Sequence, residues 1–457
     1  MMAKIGVLGL ARSGRSAAAL ALARGLELYA SDLAESAGLR EVAAEIEARG
    51  GTVELGRHTL AELASCSEIV VSPGIPPTAP VLSAPELEGI PQISEIEFAS
   101  RYLDTPLIAV TGTNGKTTTT ALIAHLLEAS GFDTLAAGNI GLPLSEVVLL
   151  EDLPSPIVVE VSSFQLAGIV DFAPEIRVLT NLALDHLDRY ETKAEYYADK
   201  ARLFENATPE TTWILNADDE DVLELSAEVP GRRLYFTTRR ALTGTELGAF
   251  VSADGELMVY LEGEAIGLVR SVELQLLGRH NLENALAASL AALAAGATPE
   301  GVREGLKSFE PLPDRLEPVA EIDGVLWVND SKATNISSTR VAVEGLDRPL
   351  ILLLGGRHKG ESYEALLPSL EGRVRRVIAY GEAGPLIEEE LGGALEVERI
   401  AGGFDRVIYR AAELARPGEA VLLAPACSSY DLFADYEERG ARFRELVGQL
   451  RGGGDGG

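Results

Sequence analysis

Apolar positions along the chain cluster in short uninterrupted runs separated by helical stretches. Residues 4–10 (Lys-Ile-Gly-Val-Leu-Gly-Leu) read as a buried strand, residues 16–24 as an Ala/Leu helix ending at Gly25, and residues 28–30 as a second strand running to Asp32. This is a βαβ opening. Runs at 68–72 and 107–110 continue it and predict parallel sheets with helices on both faces. Pro76, Pro77, Pro80, Pro85 and Pro91 break the pattern, and a first boundary is placed at 103–105. Strand-like runs at 157–161 and 178–181 follow; between 232 and 277 the pattern alternates. Residues 249–253 and 256–260 flank Asp254-Gly255, a two-residue hairpin signal, so a small antiparallel annex is expected on the parallel sheet. A helix over 281–295 precedes a second boundary at Pro311-Leu312-Pro313, and runs at 325–329, 350–354, 377–380 and 420–424 predict a third unit.

The expected fold is therefore α/β in three domains. A Rossmann-like domain spans 1–103, a P-loop-type parallel sheet with its annex spans 104–310, and a second Rossmann-like domain spans 311–457, ending in a Gly-rich tail (451–457) expected to be disordered. Length agrees, since 457 residues at about 150 per domain allow roughly three, each with its own core. The 70 Asp and Glu against 39 Lys and Arg give a net charge of −31, which disfavours nucleic acid and anionic membranes as partners. No apolar run approaches the ~18 residues of a membrane span and no basic leader precedes the first strand, so a cytoplasmic protein is expected. Cys66 and Cys427 are too few for a disulfide framework and are read as thiols. Only seven basic residues are lysine (Lys4, Lys116, Lys193, Lys200, Lys307, Lys332 and Lys359), and a titratable amine where arginine otherwise serves is a mark of chemistry.

The strongest chemical signal is Thr111-Gly-Thr-Asn-Gly-Lys116-Thr117, set between a strand and a helix. Backbone N–H groups and the helix N-terminus would cradle phosphate there, with Lys116 on the β/γ-phosphates and the Thr117 hydroxyl on Mg²⁺. It departs from the usual Walker spacing, because position 110 is Val where the first Gly would fall. Glu160 and His186 stand at predicted strand ends, where oxygen and imidazole donors would suit Mg²⁺ or Mn²⁺ on a nucleotide. Taken singly, Glu160 reads equally as a structural carboxylate and His186 as a partner of Asp185 or Asp188. Gly9-Leu-Ala11-Arg-Ser-Gly14, with Asp32 at the next strand end, nearly matches a dinucleotide fingerprint, but Ala11 replaces the Gly that lets a pyrophosphate approach. Close helix–strand packing and a nucleotide in another pose both stay open for it. A nicotinamide oxidoreductase leaves the phosphate loop unused, and a nucleotide switch leaves the 330 and 359 segments idle.

Six segments in order carry a family resemblance: Ser-Pro-Gly-Ile (72–75), Thr-Gly-Thr-Asn-Gly-Lys-Thr, Glu-Val-Ser-Ser-Phe-Gln, Asp-His-Leu-Asp-Arg-Tyr, Gly-Arg-His-Asn-Leu-Glu-Asn (278–284) and Asn-Asp-Ser-Lys-Ala-Thr-Asn (329–335). Together they resemble the Mur ligases of peptidoglycan synthesis, and the last, with Pro-Ala-Cys-Ser-Ser-Tyr-Asp (425–431), is similar to the branch that adds D-glutamate. Another Mur or folylpolyglutamate-type amide ligase is the alternative. The resemblance implies a cytoplasmic, monomeric, ADP-forming ligase whose three domains bind UDP-N-acetylmuramoyl-L-alanine, ATP and D-glutamate. It places Arg12, Ser13, Asp32, Ser72, Gly74 and Asn139 on the UDP-substrate. It gives Gly112, Thr113, Asn114, Gly115, Lys116, Thr117, Thr118, Asn284, Arg315 and Asp330 to ATP, and Lys332, Thr334, Lys359, Ser429 and Tyr436 to D-glutamate. Thr117, Glu160 and His186 would hold Mg²⁺, and Lys200 matches a lysine that takes up CO₂ as a carbamate beside the metal. Tyr436 stands where a relative has Phe. The implied reacting groups are Lys116, Glu160, His186, Lys200, Arg315 and Lys332.

Such a reaction is chemically coherent. A carboxylate is a poor electrophile, so ATP would convert it to an acyl phosphate that the amino-acid amine then attacks, with cations stabilising the phosphoryl oxygens. Arg315, at the second boundary, would reach ATP when the last domain closes. Cys427 has no base placed beside it by sequence and is not read as a nucleophile.

Overall fold

The computed structural model describes residues 3–183, 190, 192–243, 246–261 and 263–452. The predicted tail beyond 452 thus lies outside the described residues. Two compact units emerge, Met1–Val269 with Glu283–Leu306, and Arg270–Leu282 with Lys307–Gly457.

The first unit holds two sheets. In one, β1 (Lys4–Leu8), β2 (Glu27–Asp32), β3 (Thr52–Leu55), β4 (Glu68–Val71) and β5 (Gln92–Ser94) run parallel in the order β3-β2-β1-β4-β5. The order reverses at β1, the switch point where a ligand crevice is expected. The other comprises β6 (Leu107–Thr111), β7 (Leu135–Gly138), β8 (Ile157–Glu160), β9 (Ile176–Leu179), β10 (Thr212–Asn216), β11 (Arg232–Thr237), β12 (Gly248–Val251), β13 (Glu256–Leu261) and β14 (Glu264–Arg270). Their order is β14-β13-β12-β11-β10-β9-β6-β8-β7, parallel from β7 through β12 and antiparallel between β12 and β13. The antiparallel annex is thus hydrogen-bonded onto the edge of the parallel sheet. Its hairpin differs in one detail. Ser252 N–H bonds Glu256 O, and Gly255 (φ 83°) has a positive φ whereas Asp254 does not, so three residues rather than two make the turn.

One apolar cluster runs through both sheets of this unit, from Ile5 and Val7 to Leu107, Ile157 and Trp213. Two buried carboxylates reinforce the junction. Glu97 Oε2 accepts the N–H groups of Val170, Asp171 and Phe172 (2.9, 3.0 and 2.9 Å), and Glu95 Oε1 accepts Ser145 N–H. Three charge-assisted bonds to one oxygen offset the cost of burying Glu97, whereas burial pushes the Glu95 carboxyl above its ordinary range despite the bond from Ser145.

The second unit holds β15 (Glu317–Ile322), β16 (Val325–Asn329), β17 (Leu350–Gly355), β18 (Val374–Tyr380), β19 (Val397–Arg399) and β20 (Ala420–Leu423) in the order β15-β16-β20-β17-β18-β19. All pairs are parallel except β15–β16. Leu350, Leu352 and Leu354 pack on one face of β17, and Ile351 and Leu353 on the other. A strand buried on both faces must be apolar throughout, hence the unbroken run that makes it legible in sequence.

Candidate active site

Sequence-selected residues gather at the carboxyl ends of neighbouring strands in each sheet. In the first sheet the turn after β1 is held by its neighbours. Asp32, closing β2, accepts the N–H of Leu10 through Oδ2 (2.8 Å) and of Ala34 through Oδ1 (2.9 Å), and Ser72, after β4, donates from Oγ to Gly9 O (2.8 Å). Both side chains therefore shape the turn. A methyl group on Gly14 would lie 1.8 Å from the Gly9 carbonyl oxygen, so this glycine allows the helix Arg12–Ala23 to approach the strand. Arg12 and Gly74 are exposed and Ser13 is half-buried around this turn.

In the second sheet the loop from Thr111 joins β6 to the helix Lys116–Ala129. Its backbone rests on the end of β9. Asn181 accepts Asn114 N–H through Oδ1 (2.9 Å) and donates from Nδ2 to Asn114 O (3.0 Å), Thr180 Oγ1 donates to Asn114 O (2.7 Å), and Thr113 N–H donates to Asn181 O (2.9 Å). Lys116 folds over its own loop, Nζ donating to Gly112 O (3.0 Å) and Thr113 O (2.7 Å). Gly115 sits at the helix N-cap with φ 80°, and a Cβ there would fall 2.3 Å from Asn284 Oδ1. Asn284 Oδ1 also accepts the Thr119 hydroxyl (3.2 Å). Thr117 and Thr118 occupy the first helical turn, half-buried and buried. The exposed N–H groups of such a turn, with a lysine over it, fit phosphate.

Glu160 closes β8 and is 1 % exposed. Its Oε1 accepts Asn139 Nδ2 (2.7 Å), while Oε2 is buried with no hydrogen-bond partner among the described residues. A buried carboxylate oxygen with unspent lone pairs fits a cation, so this residue suits the Mg²⁺ role. Asn139, assigned to the UDP-substrate, is placed on Glu160. Lys200, on the helix Lys193–Ala201, is also 1 % exposed; Nζ donates to Gly112 O (2.7 Å) and lies 4.8 Å from the Tyr196 ring centroid. Such burial is unlike that of an ordinary surface lysine. His186 lies outside the described residues, and among the described residues no three His, Cys, Asp or Glu side chains gather as a metal site.

The second unit carries its own cluster. β16, β20 and β17 are sheet neighbours. Asp330, Lys332 and Thr334 follow β16, Ser429 follows β20, and Lys359 follows β17. Lys332 Nζ stands 3.7 Å from the Tyr436 ring centroid, and Lys359 Nζ donates to Thr334 Oγ1 (3.2 Å). Ser429 is buried, and Tyr436 donates its hydroxyl to Glu437 Oε1 (2.9 Å). Burial pushes Asp330 up to about 7, against the pull of the Leu316 N–H and the Arg315 charge. Arg315 sits between two left-handed residues, Asp314 (φ 63°) and Leu316 (φ 41°), and a bulky side chain in that region is strained. Asp314, buried, braces the bend by accepting from Asn329 Nδ2 (2.7 Å) and Arg444 Nη1 (2.9 Å).

Sequence reading passed over Asn181, which braces the phosphate loop, and Arg439 and Ser331 beneath Lys332. Asn181 lies five residues before the more conspicuous His186 and ahead of the segment that carries it. Ser331 lay between two selected residues, and Arg439 among surface-like charges.

Three family models match successive stretches of the chain. Residues 3–94 match the family model described as "Mur ligase MurD-like, N-terminal domain", 110–292 the "Mur ligase middle domain", and 314–427 the "Mur ligase, glutamate ligase domain". A protein of Salinibacter ruber named UDP-N-acetylmuramoylalanine--D-glutamate ligase is 40% identical over 453 residues, covering 97% of each chain. One of the same name from Desulfatibacillum aliphaticivorans is 40% identical over 447 residues, covering 98% of each. Among solved structures, a pseudomurein peptide ligase type C from Methanothermus fervidus aligns with TM-score 0.60 at 18% identity, covering 98% of this chain and 100% of that one. MurF from Acinetobacter baumannii aligns with TM-score 0.57 at 16% identity, covering 86% and 87%.

Proposed function

The chain belongs to the Mur ligase family, and on that premise we propose that it joins D-glutamate to UDP-N-acetylmuramoyl-L-alanine at the expense of ATP, through an acyl phosphate. The observation carrying this reading is the 40% identity, over nearly the whole of both chains, to ligases named for that reaction.

The domains are taken as 1–103 for the UDP-substrate, 104–310 for ATP and 311–457 for D-glutamate. Gly112 to Thr118 bind the phosphates, with Asn284, Arg315 and Asp330 completing the ATP contacts. Thr117, Glu160 and His186 would hold Mg²⁺, or Mn²⁺ in its place; the bound cation supplies positive charge to phosphoryl oxygens. Lys116, which spends its charge on the Gly112 and Thr113 carbonyls, turns to the γ-phosphate when ATP binds. The L-alanyl carboxylate oxygen attacks γ-phosphorus as the bond to ADP breaks, with Lys116 and Arg315 opposing the charge on the transferred group. The D-glutamate amine then attacks the acyl carbon and inorganic phosphate leaves. Lys332 and Lys359 face the two carboxylates of D-glutamate, with Thr334, Ser429 and Tyr436 orienting it. Arg12, Ser13, Asp32, Ser72, Gly74 and Asn139 serve the UDP-substrate, Asp32 and Ser72 by fixing the turn. Lys200 acts as a carbamate. The enzyme is taken to work as a cytoplasmic monomer; among the described residues no helix is long and apolar enough to cross a membrane.

Phosphate release across a panel of UDP-muramoyl acceptors and amino acids tests the reading. Turnover is expected with UDP-N-acetylmuramoyl-L-alanine and D-glutamate together. Preference for a different acceptor or amino acid would assign the chain to another branch of the family.

A further inference from the structure

Beneath the proposed amino-acid site lies a cation that the reaction as described does not use. Arg439, one helical turn after Tyr436 in the helix Tyr436–Gly452, is 0 % exposed. Its donors go to neutral acceptors: Nε to Ser331 Oγ (2.9 Å), Nη2 to Ser331 O (2.7 Å) and Nη1 to Cys427 O (3.3 Å). Ser331 Oγ in turn donates to Tyr436 O (2.7 Å). Among the described residues no carboxylate forms an ion pair with it. Buried guanidinium groups are ordinarily paired, because desolvating the charge is costly.

The acceptors are informative. Ser331 lies between Asp330 and Lys332, Cys427 lies two residues before Ser429, and Tyr436 carries the ring under the Lys332 ammonium. One planar fork therefore ties together the segment after β16, the segment after β20 and the first turn of the last helix. Lysine, with a single ammonium, cannot span these acceptors in the same way.

We propose that Arg439 is the positioning residue of the amino-acid site: its fork fixes Lys332, Ser429 and Tyr436 relative to one another, and its unneutralised charge favours an amino acid bearing a second carboxylate. This rests on the D-glutamate reading above. Two substitutions separate the parts, since both lose the fork while R439K keeps the charge and R439Q removes it.

The full-length enzyme is assayed with D-glutamate and D-glutamine, and binding of the UDP-substrate at wild-type affinity serves as the folding control. R439Q is expected to raise KM for D-glutamate about tenfold or more and to shrink the D-glutamate/D-glutamine ratio of kcat/KM by a similar factor. R439K is expected to raise both amino-acid KM values and to keep the ratio. A wild-type ratio in folded R439Q, or wild-type KM in R439K, overturns the proposal. Should R439Q fail to fold, R439K alone decides through its KM and ratio. Absence of D-glutamate-dependent turnover in the wild type would instead remove the reading on which the proposal rests.

Discussion

Lys116 and Lys200 donate to the same atom, the carbonyl oxygen of Gly112, at 3.0 and 2.7 Å. One backbone oxygen thereby brings the two amines together at the phosphate loop. The arrangement ties the phosphate loop to the helix carrying Lys200.

Lys116→Ala is expected to abolish ADP formation while the UDP-substrate binds with wild-type affinity, because that substrate is assigned to the first sheet. Isothermal titration beside an ADP-release assay measures both. Parallel loss of the two would show that the sites are not separate.

A carbamate forms from the neutral amine and CO₂ and turns a donor into an anion, so a carbamylated Lys200 would have to release Gly112 O. Lys200→Ala should be nearly inactive and partly restored by acetate, and the wild type should lose activity when CO₂ is stripped. Lys200→Arg should stay inactive, since it keeps the cation. Full activity in Lys200→Arg, without response to bicarbonate, would leave the lysine as a structural tie to the loop.

Gly115→Ala combines a left-handed backbone with a Cβ 2.3 Å from Asn284 Oδ1. The conformational cost alone is about 1–2 kcal/mol, and displacing Asn284 would disturb the loop further. KM for ATP is expected to rise at least tenfold, roughly the equivalent of 1.4 kcal/mol, with UDP-substrate affinity unchanged. Wild-type KM for ATP would show that the loop tolerates the group.

Glu54 offers a pH test away from the chemistry. Hydrogen bonds from Tyr29 first, then Thr59 and Arg57, hold its carboxyl at about 2, below its ordinary value of 4.5, against the opposing effect of burial. A depressed folded value stabilises above the unfolded value, so the contribution is fully present above about pH 4.5 and lost as pH falls towards 2. Glu54→Gln should therefore lower the urea midpoint more at pH 6 than at pH 3. An equal loss at both would assign the effect to packing.

What could be read in advance follows from what each feature is made of. β17 is written in consecutive apolar residues because both its faces are buried, and the phosphate loop combines glycine, lysine and hydroxyls at fixed spacing. The β15–β16 hairpin passed unnoticed although Asp323-Gly324 forms its two-residue turn, both with positive φ; β15 is half polar and gives little apolar signal. The left-handed backbone on either side of Arg315 could not be anticipated, because Asp314 and Leu316 adopt it under contacts from distant residues such as Asn329 and Arg444. Ser72 and Asp32 were assigned to the UDP-substrate from the sequence, and the bonds they make to Gly9 and Leu10 within the turn are visible only after folding.

The carboxylate of Glu97, holding three consecutive peptide N–H groups from 170–172, bears on how such enzymes can exchange parts. A chimera that took its first hundred residues from a relative would import the acid and inherit a foreign loop to receive it; a loop of different backbone shape would leave the buried Oε2 without its three donors, with only Arg101 Nε on Oε1 (2.9 Å) still paired. Successful shuffling would therefore have to carry the segments around Ser145 and 168–172 with the first sheet, although they lie far beyond any cut drawn along the chain.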